Sequence, residues 1–335
     1  MIPAVIHSFE QSVRLKNRLL GVGWHKDAFR HFGPGGLDEA ESHCQAAGEN
    51  FMAFVRPPDT VRPAGFVVRP FGRRVHEIAF DSPLPSGHGA NDRVVARLMT
   101  ARRPRSDRKA IVFHHALLQR NWTLWEWFLA PLTERYPVVM MAAPYHFERT
   151  PSGWFPGEGT VNPNPYRLFE GIRQWCWDQK ALMTALPESI GLEPAAVVGF
   201  SLGAFQTLLV AAAGDLTGLP LVSVASTNRY VHGLRHGVLG RGTLEGLRRA
   251  GIDGDRLDRM VEAIQLERYV GALRDRDVLF IAGRHDRVDP PPSVERLESE
   301  LRPARAVWLE TGHGTMLLER TRVAREVFEF LDARA

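Results

Sequence analysis

A serine in a glycine-flanked pentapeptide is the residue of this sequence best suited to do chemistry. The segment reads Gly199-Phe200-Ser201-Leu202-Gly203; it follows the apolar run 195–198 and opens a helix-type apolar run, 202–213. A serine hydroxyl is a weak nucleophile until a tight turn holds it beside a general base. A strand, a sharp turn and a helix in succession provide that turn, and they aim a backbone N–H at a developing oxyanion. The pattern predicts Ser201 as the nucleophile and the N–H of Leu202 as an oxyanion donor.

The two glycines flank this serine for a steric reason. A turn this sharp leaves little room for side chains beside the nucleophile, and Gly199 and Gly203 carry none. The alternative interpretation is a glycine-rich turn that only packs a helix close to a sheet. Suitable partners for Ser201 elsewhere in the chain would separate the two interpretations.

A carboxylate and a histidine follow the serine in the chain order Ser, Asp, His. Asp286 comes soon after the apolar run 278–282, and His313 lies between two glycines after the run 306–309. A carboxylate orients an imidazole and stabilises its cation, while the imidazole takes the proton of the serine. We predict these roles for Asp286 and His313.

Each of these partners has an alternative interpretation. Asp289 is the rival carboxylate, although its place before Pro290 favours a turn or a helix cap. His313 is otherwise one of the thirteen histidines of the chain with a surface role. The strand that is predicted before His313 favours the catalytic interpretation.

Short apolar runs, separated by helical or glycine-containing segments, predict the elements that position these residues. Continuous apolar runs are typical of strands buried on both faces of a sheet. The predicted strands are 75–80, 93–100, 110–113, 137–143, 195–199, 221–225, 278–282 and 306–309. The clearest helix is predicted from Leu168 to Leu186. This alternation predicts an α/β fold, a mainly parallel central sheet with helices on both faces and an active site at the carboxyl ends of its strands.

From about Val75 to its last residue the chain resembles the α/β-hydrolases. The resemblance rests on Ser201 in its glycine-flanked motif, on Asp286 in Gly-Arg-His-Asp-Arg-Val-Asp-Pro and on His313 in Gly-His-Gly. It implies the α/β-hydrolase fold, with insertions or a cap at the carboxyl edge of the sheet. It also implies an enzyme that uses these three residues, and we expect no cofactor.

In that family the loop after the third strand usually reads His-Gly, and the following residue supplies a second oxyanion N–H. The corresponding segment here is His114-His115-Ala116-Leu117, so that histidine replaces the glycine. Ala116 is the predicted donor, and Leu117 is the alternative. Two adjacent histidines also suggest a metal site, but neighbouring strand residues point to opposite faces and no other ligand spacing accompanies them. We therefore predict no metal.

A narrower resemblance links the chain to a bacterial subgroup of α/β-hydrolases, related to abhydrolase-domain proteins, whose members mostly lack an assigned substrate. The residues that carry it are Pro144-Tyr145-His146, Arg149-Thr150-Pro151, Gly157-Glu158 and Arg173-Gln174. It implies an insertion at about 144–167 above Ser201, in which we expect Arg149 and Glu158 to form an ion pair. The aromatic residues of this insertion either line a pocket for an acyl or aromatic group or pack the loop onto the domain. They are Tyr145, Phe147, Trp154, Phe155 and Tyr166.

The predicted domain organisation has two parts. Residues 1–72 are expected to form an N-terminal helical extension, with helices at 9–20 and 37–47. Residues 73–335 are expected to form the α/β-hydrolase domain, with a cap at about 227–277 that contains helical runs near 244–249 and 257–269.

Composition restricts the environment and the partners of the protein. The 335 residues carry 42 Lys and Arg against 38 Asp and Glu, a formal net charge of +4, and are 44% hydrophobic, which is typical of a globular protein. The basic run 102–109 lacks a nucleic-acid motif and is interpreted as a solvated turn, so no nucleic-acid partner is predicted. Two cysteines, no apolar run long enough for a membrane span and no signal-peptide core favour a cytoplasmic location.

These observations predict a serine hydrolase that cleaves a carboxylic ester by way of an acyl-enzyme. The alternatives are a peptidase or an acyltransferase with the same three residues, or a non-catalytic ligand-binding protein that keeps the fold. We expect a small-molecule acyl substrate and a monomer or homodimer.

Overall fold

A nine-stranded sheet forms the centre of the computed structural model, which describes residues 36–103, 107–160, 164–226, 247–248 and 251–334. The strands are β1 (Ala64–Gly72), β2 (Val75–Asp81), β3 (Arg93–Met99), β4 (Lys109–His114), β5 (Val138–Met141), β6 (Glu193–Phe200), β7 (Leu221–Val224), β8 (Val278–Gly283) and β9 (Arg305–Leu309). Their order is β1-β2-β3-β5-β4-β6-β7-β8-β9. Pairing is antiparallel from β1 to β5 and parallel from β5 to β9, so the predicted, mainly parallel α/β sheet is confirmed.

Helices cover both faces of this sheet. They are α1 (Leu37–Glu49), α2 (Phe51–Val55), α3 (Gly89–Asp92), α4 (Trp122–Leu129), α5 (Pro165–Ala185), α6 (Leu202–Ala212), α7 (Gly254–Val261), α8 (Val270–Leu273), α9 (Pro291–Leu301) and α10 (Arg320–Asp332). One core joins α1, α5, α6 and α9 to one face, and a second core joins α4 and α10 to the other. No helix of the described residues has the length and apolar character that a membrane crossing requires.

The central strands are apolar on both sides because both of their faces are covered. All positions of β4 except Lys109 are buried, and all positions of β5, β7 and β8 are buried. Each apolar side chain removed from water contributes roughly 1.5–3 kcal/mol, before the entropy of ordering the chain is counted. The buried sheet therefore provides a rigid support for the loops at its carboxyl edge.

The order of the strands creates a crevice beside β4. The chain passes from β4 to β5 on one side and then crosses to β6 on the other side of β4. Where the direction of winding reverses in this way, the loops after the two central strands diverge, and ligands bind between them. These loops begin at His115 after β4 and at Ser201 after β6. The topology thus brings together the loop after His114 and the turn at Ser201.

The N-terminal part differs from the expectation of a helical extension. Helix α1 begins at Leu37 as predicted and continues to Glu49, whereas Ala64–Gly72 forms β1 and pairs with β2. The sheet therefore begins before the predicted boundary at residue 73. Because β1 is exposed or half-buried along its whole length, its sequence carries no buried-strand pattern. The helix predicted at 9–20 lies outside the described residues.

The connection between β7 and β8 contains the range predicted as a cap. Helices α7 and α8 are its described helices, and α7 packs on α1 through Leu257, Met260 and Val261. Arg256 of α7 also pairs with Asp38 of α1 at 2.6 Å. The rest of the predicted cap, residues 227–246 and 249–250, lies outside the described residues.

The loop after β5 is tied down by a buried guanidinium. Arg149 is fully buried and donates hydrogen bonds to the carbonyl oxygens of Asn91 and Ala142, both at 2.9 Å. It also pairs with the buried carboxylate of Asp178 on α5 at 2.7 Å. A buried ion pair survives only when hydrogen bonds satisfy its remaining donors, and these carbonyls do so. The loop is in this way fixed to α5 and to the segment before β3.

The expected pair between Arg149 and Glu158 is therefore wrong. The carboxylate of Glu158 instead accepts the backbone N–H of Phe155 at 3.0 Å, within the same loop. Arg149 turns inward because Asp178 and two carbonyl oxygens satisfy it there. Asp178 is far away along the sequence, so nothing local in the sequence indicated this partner.

Candidate active site

The backbone at Ser201 is strained. Ser201 has φ 56° and ψ −117°, outside the regions that a residue with a side chain ordinarily adopts. Its N–H donates to the carbonyl oxygen of Val224 at 2.8 Å, and its own carbonyl accepts the N–H of Ala204 at 2.9 Å. Such a conformation costs on the order of 1–3 kcal/mol and persists only where the surroundings enforce it. Here the end of β6 and the first turn of α6 hold it from both sides.

Close backbone packing explains the two glycines around the serine. A Cβ atom on Gly199 would collide with the backbone of Gly203 and Ala204, and a Cβ atom on Gly203 would collide with the backbone of His114. These neighbours are main-chain atoms, which cannot swing aside as the end of a long side chain can. The turn therefore brings α6 directly against the end of β4.

Ser201, His313 and Asp286 come together in the structure. The Nε2 atom of His313 lies 2.7 Å from the Oγ atom of Ser201, and its Nδ1 atom lies 2.8 Å from Oδ2 of Asp286. A carboxylate only accepts, so Nδ1 carries the imidazole proton and Nε2 is free to accept from the serine hydroxyl. Ser201 and Asp286 are buried, and His313 is half-buried. The arrangement can pass a proton from the hydroxyl to the imidazole.

Backbone donors fix the carboxylate of Asp286. Its Oδ1 atom accepts the N–H groups of Val288 and Asp289 at 2.8 and 3.0 Å, which leaves Oδ2 for the imidazole. Asp289, the rival carboxylate, thus contributes a backbone donor to Asp286. Strand β8 ends at Gly283 and positions this loop, whereas His313 stands on the loop after β9.

The loop after β4 lies beside the nucleophile. His114 pairs in parallel register with Gly199 of β6, so the residues after each meet at the same edge. In the described part of the chain, the N–H groups of Ala116 and Leu117 donate to no protein acceptor, whereas that of Leu118 donates to His146 Nε2 at 3.3 Å. Leu202 is the first residue of α6, so its N–H has no partner within the helix. In the described residues, Leu202, Ala116 and Leu117 thus bring backbone N–H groups without a protein acceptor to the edge of the sheet at which Ser201 lies.

His114 contacts the first turn of α6 through the side chain of Thr207. It is fully buried, and its Nδ1 atom lies 2.8 Å from Oγ1 of Thr207, whose hydroxyl donates to the carbonyl oxygen of Gly203 at 2.8 Å. The hydroxyl proton is used, so Nδ1 of His114 donates to it. Burial lowers the pKa of His114 to about 3. The imidazole is therefore neutral at physiological pH and acts as a fixed hydrogen-bond donor.

The aromatic residues of the loop after β5 mostly pack the loop. Tyr145 and Phe147 are buried; Tyr145 stacks on Trp154 at 5.8 Å between ring centroids, and Phe147 stacks on Trp122 at 4.1 Å. Tyr166 lies against His43 of α1. Of the two interpretations, the structure favours packing: Tyr145 and Phe147 pack the loop, and Tyr166, which lies on α5, packs against α1.

Sequence reasoning missed two residues beside the site. Thr207 links His114 to the first turn of α6, and His146 holds the N–H of Leu118. Thr207 lies one turn after Gly203 on the predicted helix, so its spacing offered a weak signal. His146 offered none, because the turn that brings it to Leu118 depends on the buried Arg149.

The packing at Gly203 generates a prediction. We expect Gly203→Ala to lower the free energy of unfolding by about 1–3 kcal/mol, because the added methyl group meets backbone that cannot move freely. The matched control is Gly271→Ala on α8, where a Cβ atom meets nothing within 4 Å. Urea unfolding of both variants measures the difference. Equal stabilities of the two variants would contradict the packing described for the turn.

Burial of His114 predicts a pH dependence of stability. The pKa of His114 lies far below its unfolded value of 6.5, so between these values the unfolded chain binds the additional proton and stability falls as the pH falls. From pH 7 to pH 5 this histidine accounts for a loss of about 2 kcal/mol. His114→Asn keeps a donor for Thr207 and does not titrate, so its urea-unfolding free energy should fall by about 2 kcal/mol less over the same interval. The same pH dependence in both proteins would be inconsistent with a buried neutral imidazole.

Comparison with known proteins identifies the fold. No protein-family model matches the sequence, and no curated protein matches it. Among solved structures, an acylaminoacyl peptidase of Pyrococcus horikoshii is 12% identical with a TM-score of 0.56, and the match covers 82% of this chain and 42% of that one. An esterase of Pyrococcus furiosus is 13% identical with a TM-score of 0.53, covering 82% of this chain and 98% of that one. A membrane phospholipase A, a bacterial virulence factor, is 14% identical with a TM-score of 0.50, covering 88% and 92%.

At such identities the likeness of these structures to the present one concerns the fold alone. Together with the strand order and the turn at Ser201, it establishes that this protein has the α/β-hydrolase fold.

Proposed function

We propose that this protein is a serine hydrolase that cleaves carboxylic esters, with Ser201 as nucleophile, His313 as general base and Asp286 as the group that orients the base. The observation that carries the proposal is the continuous chain of two short contacts, 2.7 Å from Ser201 to His313 and 2.8 Å from His313 to Asp286. A strained serine backbone at the carboxyl edge of the sheet supports it further.

In the proposed reaction, the Oγ atom of Ser201 attacks the carbonyl carbon of the ester while Nε2 of His313 takes the hydroxyl proton. The tetrahedral oxyanion accepts hydrogen bonds from the N–H of Leu202 and from that of Ala116, with Leu117 as the alternative donor. The imidazolium then protonates the departing alcohol. Water, deprotonated by His313, releases the acid from the acyl-enzyme and restores Ser201. These side chains supply the nucleophile and every proton transfer of the cycle.

The choice of an ester rests on how far the similar structures match. The chain covers 98% of the Pyrococcus furiosus esterase and 42% of the acylaminoacyl peptidase, so more than half of the peptidase has no counterpart here. The same three residues would cleave an amide, for which His313 would protonate a poorer leaving group. An ester with a good leaving group is therefore the first substrate to test, with the corresponding amide beside it.

Loss of the nucleophile should abolish turnover. We expect Ser201→Ala to lower kcat/KM for p-nitrophenyl butyrate by four orders of magnitude or more, and Asp286→Asn to lower it by about 10⁴, because the base then loses its orientation. The matched control is Ser223→Ala, which alters a buried serine that stands opposite Gly199 on the neighbouring strand β7. Its turnover should equal that of the wild type.

The same assay separates the proposal from its alternatives. Turnover by Ser201→Ala at the wild-type rate would refute the mechanism. A folded wild type that hydrolyses no ester or amide would favour a ligand-binding protein with this fold.

A further inference from the structure

His115 occupies the place at which the α/β-hydrolase resemblance leads one to expect glycine, and its imidazole is fully buried under the loop after β4. Two hydrogen bonds hold the ring. The backbone N–H of Ala143, just after β5, donates to Nε2 at 2.9 Å, and Nδ1 lies 2.7 Å from the carbonyl oxygen of Ala116. The ring therefore bridges the ends of two neighbouring strands.

These contacts determine the tautomer of His115. An N–H group only donates, so Nε2 accepts from Ala143 and carries no proton. The proton is then on Nδ1, which donates it to the carbonyl oxygen of Ala116. Burial and the neighbouring His146 keep the pKa of His115 well below its usual value, so the ring stays neutral. Packing holds its plane, with Phe147 edge-on at 4.8 Å and His146 at 5.0 Å between ring centroids.

The hydrogen bond from His115 to Ala116 restricts the direction of the backbone N–H groups that are proposed to face the oxyanion. The carbonyl of Ala116 and the N–H of Leu117 belong to one planar peptide, so fixing the oxygen fixes the direction of that N–H. On the other side, pairing of β4 with β6 fixes His114, and His146 accepts the N–H of Leu118 at 3.3 Å. The N–H groups of Ala116 and Leu117 thus lie in a short segment that is anchored at both ends and at its middle.

We infer that His115 is a positioning residue for the loop after β4. Its Nδ1–H holds the Ala116 carbonyl, so that the backbone donors of this loop are directed toward the proposed oxyanion before the substrate binds. The inference rests on the proposed function, since it assigns a role within the same reaction. A glycine at this position has no side chain with which to make the bond, so the imidazole is a specific feature of this loop. It acts through Ala116 and makes no contact with the substrate.

Three substitutions at this position separate the two hydrogen bonds. His115→Asn keeps a donor near the place of Nδ1, His115→Gln keeps an acceptor near the place of Nε2, and His115→Ala removes both. A misdirected oxyanion donor weakens binding of the transition state and leaves binding of the ester nearly unchanged. We therefore expect kcat for p-nitrophenyl butyrate to fall tenfold to a hundredfold in His115→Ala and His115→Gln, with KM within about twofold. His115→Asn should keep kcat within about fivefold of the wild type.

Controls distinguish positioning from a general loss of stability. Thermal unfolding is recorded for each variant, and His43→Ala, which alters a half-buried histidine on α1, should keep the wild-type kcat. If His115→Ala does not fold, the comparison of the Asn and Gln variants decides the question alone. A lowered melting temperature with an unchanged kcat in the Gln variant, or equal kcat values in the Asn and Gln variants, would overturn the inference.

The wild type and Ser201→Ala are assayed beside these variants, so that the two hypotheses fail in different ways. Ester turnover that does not depend on Ser201 would contradict the proposed function and, with it, the role inferred for His115. Turnover that depends on Ser201 but is unchanged by the substitutions of His115 would contradict only the role inferred for His115.

Discussion

The active-site region depends on one backbone constraint, which is that the chain passes from β6 into α6 through a single residue with positive φ. Ser201 adopts this conformation only because Gly199 and Gly203 allow the main chain of α6 to lie against the ends of β6 and β4. The same close approach makes the hydroxyl project from the edge of the sheet, where His313 reaches it at 2.7 Å. Strain in the backbone, position of the nucleophile and contact with the base are thus consequences of one turn.

Two adjacent histidines support the two sides of this region. His114 acts through Thr207 on the first turn of α6, and His115 acts through Ala116 on the loop after β4. Both rings are buried, and burial lowers the pKa of each, so they serve as neutral donors of fixed direction. The backbone N–H groups of the two segments that they hold are the ones proposed to donate to the oxyanion, and preorganised donors of that kind account for a large part of catalysis in acyl transfer. The buried pair of Arg149 and Asp178 holds the neighbouring loop in turn.

Local patterns in the sequence predicted the buried strands of the sheet well and missed the exposed strand at one of its edges. Strands buried on both faces, such as β4 and β8, carry continuous apolar runs, and the glycine-flanked Ser201 follows directly from a sharp turn. Strand β1 was missed because its side chains are exposed and show no apolar pattern. The partner of Arg149 and the orientation of the His115 ring were missed for another reason. Both depend on contacts between segments far apart in the chain, with Asp178 and Ala143, which no spacing in the sequence reveals.

The most direct test of the proposed mechanism is the mass of the intact protein after incubation with a fluorophosphonate, followed by identification of the labelled peptide. Such a reagent phosphonylates a serine only where a base activates it and oxyanion donors stabilise the adduct. We expect a single adduct on Ser201 that is absent from Ser201→Ala. A folded wild type without an adduct, or with the adduct on another residue, would contradict it.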